Sequence, residues 1–266
     1  MASNYWSKDW YLEFSEALGA KVASDPNLLG LVLLGSTADT FRVDEWSDHD
    51  FFLITSEGLG EDYRQDLSWL PFADQIAWAP RETDHGLKVV YQFGHVLEFA
   101  VFNDSELELA KVNAVSVPVD KSNLAERVEK LRQLSIPAAP ADLSAKLQID
   151  LELLLSHLLI GVGRFRRGET LIAGEQIRSY LVPNLLNLIS AWVEPAPGSA
   201  TSEDNLNRFR RFEKRYPAAA AELTAALATD VETAARKVLN LVESLDPTTS
   251  NGSKYQVVRN RLGWEG

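Results

Sequence analysis

Two aspartates, Asp48 and Asp50, stand at the start of the apolar run DFFLIT. Residues two apart on a β-strand point to the same face, so the two carboxylates would lie side by side. Like charges at that distance repel, and both carboxylates lose hydration where the strand enters a sheet. A divalent cation such as Mg²⁺, which prefers hard oxygen ligands, removes both penalties. The spacing therefore predicts a metal site; the simpler alternative is that Asp48 caps a turn and Asp50 lies in solvent.

A third carboxylate, Glu98, lies within the apolar run HVLEFAVF, residues 95–102. A carboxylate in a run suited to a buried strand is costly unless it is paired, protonated or bound to a metal. If this strand lies beside the strand with the aspartates, Glu98 completes a set of three oxygen donors. Such a set holds one or two metal ions and leaves coordination positions for a triphosphate. The alternative is an edge strand that leaves Glu98 in water.

A Gly-Ser pair, Gly35 and Ser36, follows the apolar run LLGLVLL, and residues 37–47 lead from it to the aspartates. Glycine at a strand end lets the backbone pass close to a bulky ligand. The neighbouring serine offers both its hydroxyl and its amide to phosphate oxygens. The pair therefore predicts a phosphate-binding loop.

Short β-rich runs provide the strands that must position these residues, and an amphipathic helix with Trp10 and Phe14 on its apolar stripe precedes them. The runs are residues 28–35, 50–55, 75–80, 87–93, 95–102 and 114–119. Two prolines in the segment 135–144 then interrupt the pattern of strands. In the rest of the chain, apolar residues recur with the spacing of an α-helix. We therefore expect an α/β domain at residues 1–136, followed by an all-α helical bundle at 137–266.

Two details of the helical part are also predicted. Its first helix begins at Asp142 or Ser144, both of which are good N-caps, and ends near Gly168. Pro183 kinks or restarts the following helix.

The composition narrows the classes of partner. The 38 acidic residues outnumber the 26 basic residues and give a net charge of -12, which disfavours a stable complex with nucleic acid. The absence of cysteine excludes disulfides and thiolate metal sites. No apolar stretch approaches the roughly 20 residues that span a membrane, and the N-terminus lacks the pattern of a signal peptide. We expect a cytoplasmic protein, monomeric or homodimeric.

The arrangement of an apolar strand, Gly-Ser, Asp-x-Asp at a strand start and a later isolated acid resembles the polymerase beta-like nucleotidyltransferase superfamily. The stretch GSTAD…DEWSDHDFFLIT is most similar to the small bacterial enzymes that adenylylate aminoglycoside and lincosamide antibiotics. The resemblance covers residues 28–103 well and the helical half loosely. It implies that residues 1–136 form an α/β nucleotidyltransferase domain with a mixed sheet. It also implies Mg²⁺-dependent transfer of a nucleoside monophosphate from ATP or another nucleoside triphosphate to a hydroxyl of a small acceptor, with release of pyrophosphate.

The resemblance also implies roles for individual residues. Asp48 and Asp50 would be metal ligands, and Gly35 and Ser36 would form the triphosphate loop. Glu98 falls where the family has its third acid, which is a metal ligand in some members and a general base in others.

The sequence departs from the family at two places. Many relatives carry Arg-Gly shortly after Gly-Ser, where this chain has Ala38 and Asp39, so Arg42 would have to supply the cation that contacts the nucleotide. The residue between the two aspartates is usually aliphatic, and here it is His49. Neither change removes a metal ligand.

Three interpretations stay open at this point. The acceptor is a small molecule bound between the two domains, with Glu98 or an acid of the helical domain such as Glu169 as the base. Alternatively, the enzyme modifies a protein or an RNA end as part of a toxin–antitoxin pair. The acidic net charge disfavours RNA as the acceptor. A non-catalytic nucleotide sensor is the third interpretation, disfavoured by the retention of all three carboxylates.

Overall fold

The computed structural model describes residues 7–199 and 204–264. It divides the chain into two compact units, with the division between Pro137 and Ala138. This division falls in the proline-containing segment 135–144, where neither a helix nor a strand continues across Pro137.

The first unit contains one mixed sheet. Its strands are β1 (Leu28–Leu34), β2 (His49–Thr55), β3 (Ile76–Trp78), β4 (Gly86–Tyr91), β5 (Val96–Asn103) and β6 (Val115–Asp120). They are arranged in the order β3-β4-β5-β2-β1-β6. β2 and β5 are parallel, whereas every other neighbouring pair is antiparallel. Each predicted β-rich run forms one of these strands, and the expected α/β class with a mixed sheet is confirmed.

A longer helix precedes the strands, short helices connect them, and one further helix follows the last strand. They are α1 (Lys8–Ser24), α2 (Gly35–Ala38), α3 (Gly60–Gln65) and α4 (Leu124–Leu134), together with 3-10 helices at Thr40–Arg42, Ala73–Gln75 and Asp104–Leu109. The Ser7 hydroxyl caps α1 by accepting the N–H of Trp10. The stripe that α1 buries contains Tyr11 and Phe14, whereas Trp10 is only partly buried.

Each face of the sheet has its own apolar cluster, because alternate strand residues face opposite sides. One cluster includes Phe14 of α1 and Phe51 of β2. The other includes Ile54 of β2 and Val128 of α4. Asp50 alternates with Phe51, so it lies on the same face as Ile54, at the end of the strand where apolar packing stops.

The second unit is helical, as predicted. Its helices are α5 (Leu143–Arg166), α6 (Thr170–Glu175), a π-helical turn (Gln176–Tyr180), α7 (Val182–Trp192), α8 (Phe212–Arg215), α9 (Pro217–Leu227), α10 (Val231–Leu245), a 3-10 turn (Thr249–Asn251) and α11 (Gly252–Leu262). Asp142 is the N-cap of α5 and accepts the N–H of Ala145, and Gly168 ends that region with φ of 82°. Pro183 is the second residue of α7, so a new α-helix begins at this proline.

The core of the second unit is formed by the long helix α5 and the helices that surround it. Leu154 and Leu158 of α5 are fully buried with Leu185 of α7 and Val238 of α10. Within residues 7–199 and 204–264, no helix combines the length and the apolar character that a membrane span requires.

Candidate active site

The carboxylates of Asp48, Asp50 and Glu98 lie together at the end of the sheet where β2 and β5 begin. Asp50 is paired with Glu98 in the parallel register of the two strands, and Asp48 immediately precedes β2. One carboxylate oxygen of each residue lies within 4.8 Å of the other two. Three acidic oxygens at this separation form a donor set that suits a hard divalent cation. The parallel register therefore brings together the three carboxylates on which the metal-site hypothesis rests.

The exposure of Glu98 differs from the sequence-based expectation. Its neighbours Leu97 and Phe99 are buried, but the Glu98 side chain is 49% exposed. Val96 and Ala100, which share the face of Glu98, are only partly buried, because the apolar cluster on that face includes Phe102 further along β5 and does not cover the start of the strand. Glu98 is therefore accessible to a ligand without a large desolvation cost.

Gly35 lies at the same end of the sheet, where β1 finishes. Its φ is 54°, in the left-handed region that favours glycine. A Cβ atom at this position would lie 3.4 Å from Oδ2 of Asp50. The backbone turn that continues into Ser36 thus passes directly beside one of the three carboxylates.

Arg42 returns to this turn from the 3-10 helix that follows α2. Its Nη2 donates to the carbonyl oxygen of Gly35 at 2.9 Å, and its Nε lies 3.1 Å from Oδ2 of Asp39. Arg42 therefore lies beside the Gly-Ser turn, and its guanidinium contacts both the Gly35 carbonyl and the Asp39 carboxylate. Sequence reasoning did not predict these two contacts.

A buried pair of hydroxyl groups holds the backbone of the two aspartates. The Tyr11 hydroxyl donates to the carbonyl oxygen of Asp48 at 2.7 Å and lies 2.7 Å from Oγ1 of Thr37. Thr37 Oγ1 in turn accepts the backbone N–H of Asp50 at 3.0 Å. Burial raises the pKa of the Tyr11 hydroxyl, and the nearby carboxylate of Asp48 raises it further, so Tyr11 stays a protonated donor. One hydroxyl network thus connects α1, the Gly-Ser turn and the segment with both aspartates.

His49 lies on the opposite face of β2 from the aspartates and is fully buried. Its ring stacks on Tyr11 with 3.7 Å between the ring centroids, and its Nδ1 lies 2.7 Å from Nε2 of His95. Burial lowers the pKa of both imidazoles, that of His95 to about 4, and the charge of His95 lowers the pKa of His49 further. The residue that departs from the family pattern between the aspartates is therefore a packed, neutral histidine.

Sequence reasoning missed Tyr11, Thr37 and His95 as supports of the site. The available signal for Tyr11 was a polar aromatic residue on the apolar stripe of α1. Thr37 and His95 carry no comparable signal, because their partners come from strands and helices far apart in the chain.

Glu169 and the arginines near it are paired within the second unit. Oε2 of Glu169 lies 2.7 Å from Nη1 of Arg164, and its Oε1 lies 2.9 Å from Nε of Arg167. Hydrogen bonds from Arg167 and Arg164 lower the pKa of the Glu169 carboxyl. Arg166 pairs instead with Glu232. These contacts make Glu169 a weaker base than an acid without two guanidinium partners.

No family model and no curated protein matches the chain. Among solved structures, the chain is similar to an aminoglycoside 6-adenyltransferase from Bacillus subtilis, with 12% identity, 98% of this chain and 93% of that chain covered, and a TM-score of 0.35. It is similar to a nucleotidyltransferase-like protein from Exiguobacterium sibiricum, with 13% identity, 93% and 79% covered, and a TM-score of 0.31.

A third similar structure is that of E. coli CdnC with ATP, with 15% identity, 97% of this chain and 93% of that chain covered, and a TM-score of 0.32. The likeness to these three structures is one of fold.

Proposed function

We propose that this protein is a Mg²⁺-dependent nucleotidyltransferase that moves a nucleoside monophosphate, AMP from ATP in the first instance, to a hydroxyl of a small molecule. The observation that carries the proposal is the grouping of the Asp48, Asp50 and Glu98 carboxylates beside the left-handed turn at Gly35. A cluster of three acids is favourable when a cation occupies it, and a turn without side-chain bulk beside it leaves room for phosphates.

The donor set fits a hard divalent cation, since all three groups are carboxylates and no sulfur or imidazole ligand is among them. Asp48 and Asp50 would hold the metal, with Glu98 as a third oxygen donor. When bound, the metal supplies positive charge to the triphosphate and to the departing pyrophosphate.

The chain's own residues have distinct parts in the proposed reaction. Gly35 and Ser36 bind the triphosphate through backbone amides and the serine hydroxyl. The acceptor hydroxyl forms a bond to the α-phosphorus as the bond to pyrophosphate breaks, and Glu98 takes the hydroxyl proton. Glu98 suits this step better than Glu169, because it is exposed beside the aspartates whereas two arginines hold Glu169.

For the acceptor we propose a hydroxyl-bearing antibiotic of the aminoglycoside or lincosamide type. The support is the sequence motif shared with such enzymes, together with a net charge of -12, which suits an aminoglycoside with several amino groups. The charge does not separate aminoglycosides from neutral lincosamides, so both belong in the test.

The test is incubation of the purified protein with Mg²⁺, labelled ATP and, separately, aminoglycosides, lincosamides, tRNA and cell protein. We expect label on a small molecule and pyrophosphate release. Label on tRNA or protein would instead support the toxin–antitoxin interpretation, and ATP binding without turnover on any acceptor would support a nucleotide sensor.

The metal site is tested by Asp48→Asn and Asp50→Asn. Each variant should lose at least about 100-fold in turnover, because it removes a charged ligand. Glu45→Gln is the matched control, since Glu45 is an exposed acid of the same loop. Near-normal activity of either aspartate variant would contradict the proposal.

A further inference from the structure

A lysine extends the row of acidic residues across the sheet. Asp50 of β2 is paired with Glu98 of β5, and Glu98 is paired on its other side with Lys88 of β4. Directly paired residues on neighbouring strands project to the same face. The face of the sheet that carries the metal-site carboxylates therefore continues from Glu98 to an ammonium group.

Lys88 has two carboxylate partners. Its Nζ lies 2.9 Å from Oε1 of Glu82 and 3.7 Å from Oε2 of Glu98. All three side chains are between 39% and 49% exposed, so the ammonium can move between the partners without being desolvated. The hydrogen bond to Glu82 and the charge of Glu98 both raise the pKa of Lys88, which is therefore a cation at neutral pH.

The strand order separates Lys88 from the predicted triphosphate loop. β4, β5, β2 and β1 are consecutive in the sheet, and Gly35 follows β1. Lys88 and Gly35 thus lie on opposite sides of the three carboxylates. This arrangement directs the Lys88 ammonium toward Glu98 rather than toward phosphates bound at Gly35.

We propose that Lys88, which Glu82 holds by a hydrogen bond, is a counter-ion that Glu82 shares with Glu98. It partly neutralises the Glu98 carboxylate in the metal-free protein and stays with Glu82 alone when a divalent cation binds. Lys88 is a positioning residue in this scheme, because it acts through Glu98. Glu82 is the partner that keeps the ammonium outside the metal-binding set. The inference rests on the proposed function only in taking the three carboxylates as a metal site.

The scheme predicts opposite effects for the two partners. Without Lys88, Glu98 is available to the metal at all times, so affinity for the metal should rise. Without the Glu82 charge, Lys88 stays with Glu98, so affinity should fall. Exposed charge pairs of this kind change an equilibrium by about two- to fivefold.

The experiment is a titration of the full-length protein with Mn²⁺ alone, with the free ion measured by electron paramagnetic resonance and no nucleotide or acceptor present. Lys88→Met should bind Mn²⁺ about two- to fivefold more tightly than wild type, and Glu82→Gln about twofold more weakly. Lys88→Arg should behave as wild type. Lys88→Gln is a second neutral variant, and Lys130→Met of α4 is the control for the loss of a lysine charge elsewhere.

A double-mutant cycle tests whether Lys88 acts through Glu98. In the Glu98→Gln background, Lys88→Met should change Mn²⁺ affinity by less than about 1.5-fold. Equal or weaker binding by both neutral Lys88 variants would overturn the proposal. The same tightening in the Glu98→Gln background would also overturn it, because Lys88 would then act as a general charge.

These outcomes are separate from the fate of the proposed function. Coupling of Lys88 to Glu98 in Mn²⁺ binding, without turnover of any acceptor, would support the counter-ion and contradict the transferase. Turnover that depends on Asp48 and Asp50, with no coupling in the cycle, would support the transferase and overturn the counter-ion.

Discussion

Two buried hydroxyl groups hold the backbone from which the carboxylates of the proposed metal site project. Tyr11 and Thr37 are both buried, and together they bond the carbonyl of Asp48 and the N–H of Asp50. A buried backbone group that loses its partner costs about 1–3 kcal/mol. The positions of Asp48 and Asp50 therefore depend on two residues outside the set of three carboxylates.

Tyr11→Phe tests this dependence. Removing the hydroxyl leaves the Asp48 carbonyl without its 2.7 Å donor, and we expect a loss of about 1–2 kcal/mol in unfolding free energy together with weaker Mn²⁺ binding. Tyr63→Phe is the matched control, because Tyr63 donates to Asp25 at 2.6 Å. Urea unfolding measures the stability of both variants, and Mn²⁺ titration measures their metal affinity. Equal Mn²⁺ affinity of the two variants would contradict the positioning role of Tyr11.

The buried histidines give the first unit a defined response to acid. The pKa of His95 is about 4 in the folded protein against an ordinary value of 6.5, so the unfolded chain takes up a proton first. The stabilising contribution is complete above pH 6.5 and is lost as pH falls toward 4, by about 2 kcal/mol at pH 5. Unfolding free energies measured from pH 8 to 5 should fall less steeply for His95→Gln than for wild type, and equal slopes would show that His95 does not carry the effect.

At the scale of elements, two glycines of α5 have different surroundings although they are two residues apart. A Cβ atom at Gly161 would lie 2.6 Å from Cδ1 of Ile177, in the π-helical turn, whereas a Cβ at Gly163 would meet nothing nearer than Arg167 Nη1 at 3.9 Å. Gly161 thus permits the close approach of two helical segments. Gly163 has no such role.

Alanine substitutions separate these two cases. Gly161→Ala should destabilise the second unit by about 1–3 kcal/mol because the methyl overpacks the contact with Ile177. Gly163→Ala should stabilise it by about 0.5–1 kcal/mol through helix propensity alone. Thermal unfolding followed by circular dichroism measures both, and destabilisation of the same size in both variants would contradict the packing argument.

The strands and the site residues differ in how far sequence patterns could predict them. Short apolar runs bounded by turn residues predicted all the strands, and the Asp-x-Asp spacing predicted that Asp48 and Asp50 share a face. Sequence patterns could not establish that β5 pairs in parallel with β2, because pairing depends on long-range packing. The sequence-based prediction therefore had to assume that Glu98 lies beside Asp50 and did not establish it.

Residues whose partners are distant in sequence were beyond prediction for the same reason. Lys88 is an ordinary strand lysine until the register places it opposite Glu98. Glu98 itself seemed buried, since the run around it is apolar, but the apolar cluster on its face of the sheet is reached only later in the strand, at Phe102. Periodicity reports which face a residue occupies and gives no information on the neighbouring strand.

At the scale of the whole molecule, the two units have separate apolar cores. The clusters on the two faces of the sheet contain only residues before Pro137, and the helical cluster contains only residues after it. A domain with its own core can unfold as its own cooperative unit.

We therefore expect two unfolding transitions in differential scanning calorimetry. Gly161→Ala should lower the midpoint of one transition and Tyr63→Phe the midpoint of the other, because each substitution removes or strains contacts within one unit only. A single transition that both variants shift together would show that the units unfold cooperatively.

The parallel pairing of β2 with β5 also determines when the site can form during folding. β4 and β5 are antiparallel neighbours that also follow one another in the chain. β2 and β5 are neighbours in the sheet, but β3 and β4 lie between them in the chain. Contacts between residues far apart in the chain form slowly. One part of the chain carries the aspartates and the other carries Glu98 with Lys88, so neither part has a complete ligand set. In a newly synthesised chain, the proposed cation site is therefore complete only when the two parts of the sheet have joined, so a bound cation would mark a finished first unit.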